Sequence, residues 1–226
     1  MSLSTLVGSL QDAGIIKSDR IINVMKLVDR AKYVPQGFPP YADSPQPIGD
    51  AQTISAPHMH AQALELLNPF LHAGSSVLDV GCGSGYLTAC MGYLVRPGGN
   101  VIGVENREAL VELSKSNVAH ANSDLLTSGT VHFAFGNAWT GEGFASEGSE
   151  GEIFDAIHVG AAAEKMPDIL LRSLKRPGRM VIPVGPQWGS QIFVVVDKDK
   201  DGGVTQREIL SVMYVPLEHQ MRPRGQ

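Results

Sequence analysis

The stretch Val77-Leu78-Asp79-Val80-Gly81-Cys82-Gly83-Ser84-Gly85-Tyr86 decides the fold of this chain. A short apolar run, typical of a buried strand, leads into a Gly-x-Gly-x-Gly turn, and a helical pattern follows the turn. Glycine lets the backbone turn tightly and lets a ligand approach the main chain closely. The stretch therefore predicts a strand–turn–helix unit whose turn, at the carboxyl end of the strand, contacts a nucleotide-like cofactor.

Strand-like and helix-like segments alternate on both sides of this turn. The predicted strands cover residues 76–80, 100–105, 131–136, 152–159 and 179–184, and the predicted helices cover residues 85–95, 107–122 and 166–174. Alternating elements of this length are typical of an open, mostly parallel sheet with helices on both faces. The predicted fold class is therefore α/β and Rossmann-like.

The two ends of the chain depart from this alternation. Near the N-terminus, one helix is predicted over residues 4–13 and a second helix begins after Ser18, its N-cap. A third is predicted over residues 57–67, where proline suits the first turn. Five prolines between Pro35 and Pro47 argue against a long helix or a central strand and predict an ordered covering loop. Near the other end, residues 191–197 and 206–214 predict an antiparallel hairpin at the sheet edge.

These segments predict one domain over residues 1–226. It comprises N-terminal helices and a covering loop (1–60), a cofactor-binding core (61–190) and a β-rich edge (191–226). Residues 141–151, rich in Gly, Glu and Ser, are predicted to form a mobile surface loop.

Composition excludes several classes of protein. Hydrophobic residues make up 43% and charged residues 18% of the 226 positions, which is ordinary for a globular protein. The net charge of −5 argues against general nucleic-acid binding. Apolar runs fall far short of the roughly 20 residues of a membrane span, and the first residues lack a secretory pattern. With only Cys82 and Cys90, neither a disulfide framework nor a metal site is expected, so a cytoplasmic enzyme without nucleic-acid or membrane partners is predicted.

Two classes of cofactor compete for the glycine turn. A dinucleotide turn prefers Gly-x-Gly-x-x-Gly, whereas this chain has Tyr86 at the sixth position. Asp79, two residues before the first glycine, would repel a pyrophosphate but suits the ammonium group of S-adenosylmethionine, which carries no phosphate. Glu105 at the end of the second strand can accept both ribose hydroxyls, as acids also do in NAD enzymes. The structural alternative is a turn that only packs helix on strand, with Glu105 a solvated acid.

Longer motifs resemble one family, the protein-L-isoaspartate O-methyltransferases. They are Asp43-Ser44-Pro45-Gln46-Pro47-Ile48-Gly49, Gln52-Thr53-Ile54-Ser55-Ala56-Pro57-His58-Met59-His60-Ala61, Phe154-Asp155-Ala156-Ile157-His158-Val159-Gly160-Ala161-Ala162-Ala163, Arg179-Met180-Val181-Ile182-Pro183-Val184-Gly185 and Met213-Tyr214-Val215-Pro216-Leu217. The motifs stand in the family's order and span most of the chain. The resemblance implies a class I S-adenosylmethionine-dependent methyltransferase fold with extra N-terminal helices and an antiparallel C-terminal edge.

The same resemblance implies the activity and its ligands. S-adenosyl-L-methionine would be the methyl donor, S-adenosyl-L-homocysteine the product, and no metal would take part. The substrates would be L-isoaspartyl and, secondarily, D-aspartyl residues of damaged proteins and peptides, so the enzyme would act in protein repair. A monomer is expected, because such an enzyme must accept many unfolded segments.

The reaction itself limits which residues are needed. A carboxylate with a pKa near ~4 is already ionised at neutral pH, so its methylation requires alignment and desolvation rather than a strong base. Thr53-Ile54-Ser55 offers hydroxyls and N–H groups but no acid or base, and the resemblance indicates Ser55 as the catalytic residue. Ser55 could instead cap the following helix. The resemblance also places His60 at the cofactor, whereas His58 and His158 are predicted to be structural.

The complete set of predicted site residues follows from these arguments. The cofactor-binding residues are Gln52, Thr53, Ile54, Ser55, His60, Asp79, Gly81, Gly83, Ser84, Glu105, Asn137 and Ala138, and the substrate-binding residues are Thr53, Ser55, Val159, Gly160 and Ala161.

Two of the places where the chain departs from the family's pattern bear on the site. The family usually has Gly-Asp-Gly after the third helix, with the aspartate binding the adenine amino group, whereas this chain has Gly136-Asn137-Ala138. Asn137 keeps an acceptor oxygen without the charge, so a weaker adenine contact is expected. The segment after Leu217 does not match the family's tail, and no site residue is assigned to it.

Two other functions fit part of the pattern. The first is a class I methyltransferase that acts on another carboxylate or on a small molecule. The second is a cofactor-binding or interaction module without activity, which Asn137 and Ala138 would allow. Ser55 and Asp79 argue against this second alternative.

Overall fold

A computed structural model of the chain describes residues 1–145, 151–187 and 189–223. The helices are α1 (Leu3–Asp12), α2 (Asp19–Leu27), α3 (Pro57–Leu67), α4 (Tyr86–Leu94), α5 (Glu108–Ala121), α6 (Ser123–Thr127) and α7 (Asp168–Ser173). The strands are β1 (Gln46–Gly49), β2 (Gln52–Ile54), β3 (Ser76–Val80), β4 (Asn100–Glu105), β5 (Val131–Phe135), β6 (Phe154–Val159), β7 (Leu174–Val184), β8 (Gln191–Lys198) and β9 (Val204–Val212).

Seven of the strands in the described part of the chain form one sheet, in the order β5-β4-β3-β6-β7-β8-β9. The strands from β5 to β7 run parallel, and β8 and β9 add an antiparallel edge. After β3 the chain continues to β4 and β5 on one side and then crosses to β6 on the other. This topological switch point opens a crevice at the carboxyl ends of β3, β4 and β6, where ligands of such sheets bind. The predicted α/β, Rossmann-like class is confirmed.

Alternation of side chains along the central strands builds a core on each face of the sheet. Val77 of β3 packs into one apolar cluster, and its neighbour Leu78 packs into the other. The same alternation separates Ala156 from Ile157 on β6, because successive strand residues point to opposite faces. Both faces are therefore buried, which explains why these strands read as nearly continuous apolar runs.

A hairpin that the sequence did not predict occupies the end of the proline-rich segment. Strands β1 and β2 pair antiparallel, and Pro47 lies opposite Thr53. The connecting residues Asp50 and Ala51 both have positive φ values, 51° and 54°. A two-residue turn with φ above zero at both positions matches the twist of a hairpin, but it usually contains Asn-Gly or Asp-Gly. Ala51 stands where glycine is usual, so the sequence gives no sign of this turn. Pro47 is tolerated because both strands of a two-stranded ribbon are edge strands.

Several predicted boundaries differ from the structure. Helix α7 ends at Ser173 and β7 begins at once with Leu174, five residues before the predicted start of that strand. Strand β9 covers Val204–Val212 rather than residues 206–214, and the short helix α6 was not predicted.

The predicted surface loop begins as a packed turn. Within it the Gly141 amide donates to the carbonyl of Asn137 (2.9 Å), and Phe144 is buried. The remaining part of this prediction, residues 146–150, lies outside the described residues. The helices within the described residues also lack the combination of length and apolar character that a membrane span requires.

Candidate active site

Two connected cavities surround the turn between β3 and α4. The first lies over the carboxyl ends of β3, β4 and β6 and is lined by Glu105 on one side and by Leu217 of the C-terminal segment on another. The second reaches toward the N-terminal part of the chain. It is lined by Thr53, Ile54, Ser55, His60, Asp79, Gly81, Cys82, Gly83, Ser84, Leu87, His158 and Gly160. Thr53, Gly81, Gly83 and Gly160 line both cavities, so one elongated ligand can extend from Glu105 to Ser55.

The glycines of the turn are required by its geometry. Gly81 has a φ of 71° and Gly85, the residue before α4, a φ of 81°, which L side chains rarely adopt. At the end of β6, a Cβ on Gly160 would lie 3.0 Å from the Gly81 carbonyl oxygen. The strand end therefore passes so close to the turn that a side chain would force the two apart.

Glu105 ends β4 with a buried carboxyl group that the main chain holds in place. One carboxyl oxygen accepts from the Gly83 amide (3.2 Å) and the other from the Asn106 amide (2.9 Å). Its burial raises the pKa of Glu105 to about 7, although these amides act in the opposite direction. The alternative that Glu105 is a solvated strand-end acid is wrong, because only 7% of the residue is exposed.

This raised pKa predicts a pH dependence of cofactor binding. Ribose hydroxyls donate to the carboxylate form, so binding at a pH below about 7 must first remove a proton from Glu105. We expect the affinity for S-adenosylhomocysteine to rise as the pH increases toward 7, by up to about tenfold per unit, and to level off above it. Calorimetry from pH 5.5 to 8.5 measures the affinity and the protons released. Glu105→Gln, which cannot titrate, should lose this dependence, and a wild-type affinity equal at all pH values would contradict the assignment.

Asp79 is buried and already has two partners. Its carboxylate accepts from the Thr88 hydroxyl and contacts His158 Nδ1 at 2.7 Å. His158 is paired with Asp79 in the register of β6 and β3, and it lines the second cavity. The prediction of a purely structural His158 therefore omitted a contact with a site residue. Strand register, which the sequence does not specify, creates this contact.

Ser55 lies on the short connection between β2 and α3. The N-cap of α3 is Ala56, and the amide of His58 in its first turn donates to the Asp43 carboxylate (2.9 Å) rather than to Ser55. The alternative in which Ser55 serves as a helix cap is therefore wrong. Ser55 lines the second cavity and also an open groove, which leaves its side chain at the boundary between the two.

The open groove runs from Ser55 along the last residues of β9. Its lining is Pro45, Thr53, Ser55, Ala56, His58, Met59, Gly160, Leu210, Ser211, Val212, Met213, Tyr214 and Val215. Among the predicted substrate residues, Ala161 lines the first cavity instead of the groove. Val159 has no exposed surface and packs in the core beneath the site, so its prediction as a substrate contact is wrong.

Asn137 holds the C-terminal segment in place. Its amide nitrogen donates to the His219 carbonyl (2.7 Å), and its amide oxygen accepts from the Trp139 main chain (2.8 Å). The residues on either side, Gly136 and Ala138, line the first cavity, whereas the Asn137 side chain turns away into these contacts. Each end of the amide thus has one protein partner and keeps one further donor or acceptor position, and the adenine contact of Asn137 stays a prediction.

Arg107 joins three segments across the first cavity. One guanidinium nitrogen donates to the carbonyl and the carboxylate of Asp50 (2.9 and 3.0 Å), and another donates to the Glu218 carboxylate (2.9 Å). Asp50 lies in the β1–β2 turn and Glu218 in the C-terminal segment. The Arg107 side chain is only 6% exposed, whereas the side chains of Asp50 and Glu218 are 42% and 26% exposed, so solvent screens these ion pairs in part.

Breaking this three-way contact should accelerate release of the cofactor product. We expect Arg107→Ala to raise the dissociation rate of S-adenosylhomocysteine about tenfold, because hydrogen bonds between charged groups stabilise by about 1.5–3 kcal/mol. Displacement of labelled product by excess unlabelled product measures the rate. Arg96→Ala is the matched control. Arg96 lies just before β4, at the end of the strands opposite to the cavities, and forms an ion pair with Asp124. Equal rates in the wild type and Arg107→Ala would show that the contact does not retain the ligand.

The chemistry of the lining residues selects among cofactors. Asp79 and Glu105 provide negative charge, and the cation that lines the first cavity, Arg107, is already held by two carboxylates. This arrangement suits a ligand with a ribose, an ammonium and a sulfonium group better than a pyrophosphate. The sheet topology and this site define a class I S-adenosylmethionine-dependent methyltransferase.

Comparison with known proteins identifies the family within this class. The family model for protein-L-isoaspartate(D-aspartate) O-methyltransferase (PCMT) matches residues 1–222. The chain is 47% identical over 215 residues to the protein-L-isoaspartate O-methyltransferase of Triticum aestivum, covering 95% of this chain and 90% of that protein. It is 42% identical over 214 residues to that of Caenorhabditis elegans, covering 95% and 91%.

A solved structure gives the same result. The crystal structure of the beta-aspartate methyltransferase (PCMT) from Plasmodium falciparum, in complex with S-adenosyl-L-homocysteine, superposes with a TM-score of 0.86 at 35% identity. The match covers 96% of this chain and 99% of that one. The chain belongs to the protein-L-isoaspartate(D-aspartate) O-methyltransferase family.

Proposed function

We propose that this protein transfers the methyl group of S-adenosylmethionine to the free carboxylate of L-isoaspartyl residues in damaged proteins and peptides. The observation that carries the proposal is the junction at Ser55, where a cavity suited to the cofactor meets an open groove. Membership of the family supports the substrate, because relatives of similar length are protein-L-isoaspartate O-methyltransferases.

The connected cavities provide a place for each part of the cofactor. Glu105 would accept the ribose hydroxyls, and Gly136 and Ala138 would border the adenine. Asp79 and His60 would contact the amino-acid end in the second cavity. Bound in this way, the cofactor supplies an electrophilic methyl group on a sulfonium.

The chain's own residues then have to align the attacking carboxylate. Ser55 donates a hydrogen bond from its hydroxyl and holds one carboxylate oxygen, so that the other can face the methyl group. Thr53, which lines both cavities and the groove, borders the same point. Gly160 leaves space for the main chain of the substrate. A general base is unnecessary, because the carboxylate is ionised at neutral pH and its orientation can lower the barrier by several kcal/mol, up to about 7–11.

Further properties follow as parts of the same proposal. The groove is open to solvent, so extended segments of different proteins can enter it, which suits a monomeric repair enzyme with secondary activity on D-aspartyl residues. The net charge of −5 supports a protein without a nucleic-acid partner. We infer a cytoplasmic location from the two unpaired, buried cysteines, Cys82 and Cys90, which fit a reducing compartment.

Conversion of an isoaspartyl peptide tests the repair function. A synthetic peptide with one L-isoaspartyl linkage is incubated with the protein and S-adenosylmethionine, and the L-aspartyl isomer is followed by chromatography. We expect the aspartyl isomer to accumulate only when both protein and cofactor are present. Tight cofactor binding without any loss of the isoaspartyl peptide would favour a methyltransferase for another carboxylate instead.

A further inference from the structure

Arg30 is a buried arginine beside the site that sequence patterns did not single out. It opens a short 3-10 turn after α2, and only 1% of its surface is exposed. Its guanidinium donates to the carbonyls of Pro40 (2.9 Å) and Ser55 (2.8 Å) and contacts His60 Nδ1 (3.2 Å). Three parts of the chain, namely the covering loop, the Ser55 connection and α3, are thus joined by one side chain.

The charge of Arg30 lacks an acidic partner at contact distance. Within the described residues, no carboxylate oxygen lies within the 4.0 Å of an ion pair with it. Burial lowers the pKa of Arg30 to about 10, which still leaves the group charged at neutral pH. A buried cation without a paired acid costs free energy. Its presence next to the site therefore indicates a role in the chemistry of the site.

The contact with Arg30 fixes the proton on His60. A guanidinium can only donate, so His60 Nδ1 must accept, and the proton of the neutral ring must lie on Nε2. Burial and the charge of Arg30 both lower the pKa of His60, which keeps the ring neutral. The ring also packs against Tyr86, with the centroids 5.1 Å apart, and the Arg30 guanidinium lies 5.7 Å from the same Tyr86 ring.

The free Nε2–H group of His60 is open to the second cavity. Within the described residues, Nε2 of His60 has no protein partner. In the same part of the chain, every side-chain nitrogen or oxygen that is buried does have a partner. The atom is therefore accessible, and His60 lines the cavity next to Asp79 and Ser55. An N–H donor backed by a cation is suited to bind a carboxylate, and the amino-acid end of the cofactor carries one.

We propose that Arg30 is a positioning residue for methyl transfer, which holds the main chain of Ser55 and fixes His60 as an Nε2–H donor to the methionine carboxylate of the cofactor. The Ser55 part rests on the proposed function. The His60 part concerns cofactor binding alone and can be tested without a methylated peptide.

Two ligands that differ only at the amino-acid end provide the test. S-adenosylhomocysteine has this end, whereas 5′-methylthioadenosine lacks it. Arg30→Lys retains a positive charge but loses the planar fork, so we expect about tenfold weaker binding of S-adenosylhomocysteine and unchanged binding of methylthioadenosine. We also expect kcat to fall more than the KM for the peptide rises. Arg20→Lys is the matched control, because Arg20 binds the Leu71 and Leu94 carbonyls away from the cavities and should change neither affinity.

Two further measurements separate positioning from mere support of the fold. In a His60→Ala background, Arg30→Lys should weaken binding of S-adenosylhomocysteine less than twofold, since the effect passes through His60. Equal losses for both ligands, or full additivity of the two substitutions, would overturn the proposal.

A measurement on the unsubstituted protein covers the case in which Arg30→Lys does not fold. Nitrogen-15 NMR of the S-adenosylhomocysteine complex should show His60 neutral with its proton on Nε2, and a proton on Nδ1 would refute the proposal. This result is independent of peptide methylation, so failure of the protein to act on isoaspartyl peptides would reject the proposed function alone.

Discussion

Replacement of Ser55 by alanine is expected to lower kcat for peptide methylation by about 10- to 150-fold, the equivalent of one hydrogen bond to a charged group. The dissociation constant of S-adenosylhomocysteine should change less than twofold, because the side chain lies at the junction with the groove and its main chain stays in place. Stability should fall by about 1 kcal/mol, because the Ser55 side chain does not cap α3 but forms a hydrogen bond with the Tyr214 side chain. Steady-state kinetics and calorimetry measure the two quantities.

Ser211→Ala supplies the matched control for this experiment. Ser211 lines the same groove but not the cofactor cavities, so its loss should leave kcat nearly unchanged. An unaltered kcat in Ser55→Ala would remove Ser55 from the mechanism. A parallel loss of cofactor affinity would instead make its side chain a cofactor ligand.

Replacement of Glu105 by alanine is expected to weaken cofactor binding by roughly 1.5–3 kcal/mol, or about 10- to 150-fold in the dissociation constant. Affinity falls because alanine lacks the carboxylate that would accept the ribose hydroxyls. The Gly83 and Asn106 amides hold this carboxylate at the wall of the first cavity. Calorimetric titration with S-adenosylhomocysteine measures the loss.

Two controls make the Glu105 result specific. Glu112→Ala removes an exposed acid on α5 and should not alter affinity. Glu105→Gln retains the shape of the side chain but has one acceptor oxygen for the Gly83 and Asn106 amides, so we expect it to weaken cofactor binding as well. Wild-type affinity in Glu105→Ala would refute the assignment to the ribose.

The parts of the fold that could be predicted are those specified by local sequence. The predicted bounds of β3 and β4 agree with the structure at residues 76–80 and 100–105, because apolar runs between glycine and charged residues specify buried strands. The turn between β3 and α4 could be predicted from its glycines. Glu105 could be predicted as a site residue because it ends a strand. The positions of Thr53, Ser55 and His60 in one cavity agree with the motifs that suggested them.

The parts that could not be predicted depend on contacts between distant residues. A single arginine in a sequence gives no indication that it will be buried, and Arg30 reaches Ser55 and His60 only through the folding of the covering loop. The protein contacts of the Asn137 side chain could not be predicted for the same reason. Its amide binds the carbonyl of His219, 82 positions away, in a segment whose sequence departs from the family. Local periodicity carries no information about such pairs.

The most direct test of the central claim is methyl transfer from labelled S-adenosylmethionine to two synthetic peptides that differ only in an L-aspartyl or L-isoaspartyl linkage. We predict label on the isoaspartyl peptide alone, in base-labile form as expected for a methyl ester, and loss of most of that label with Ser55→Ala. Equal labelling of both peptides, or labelling of neither by protein that binds the cofactor, would contradict the proposed function.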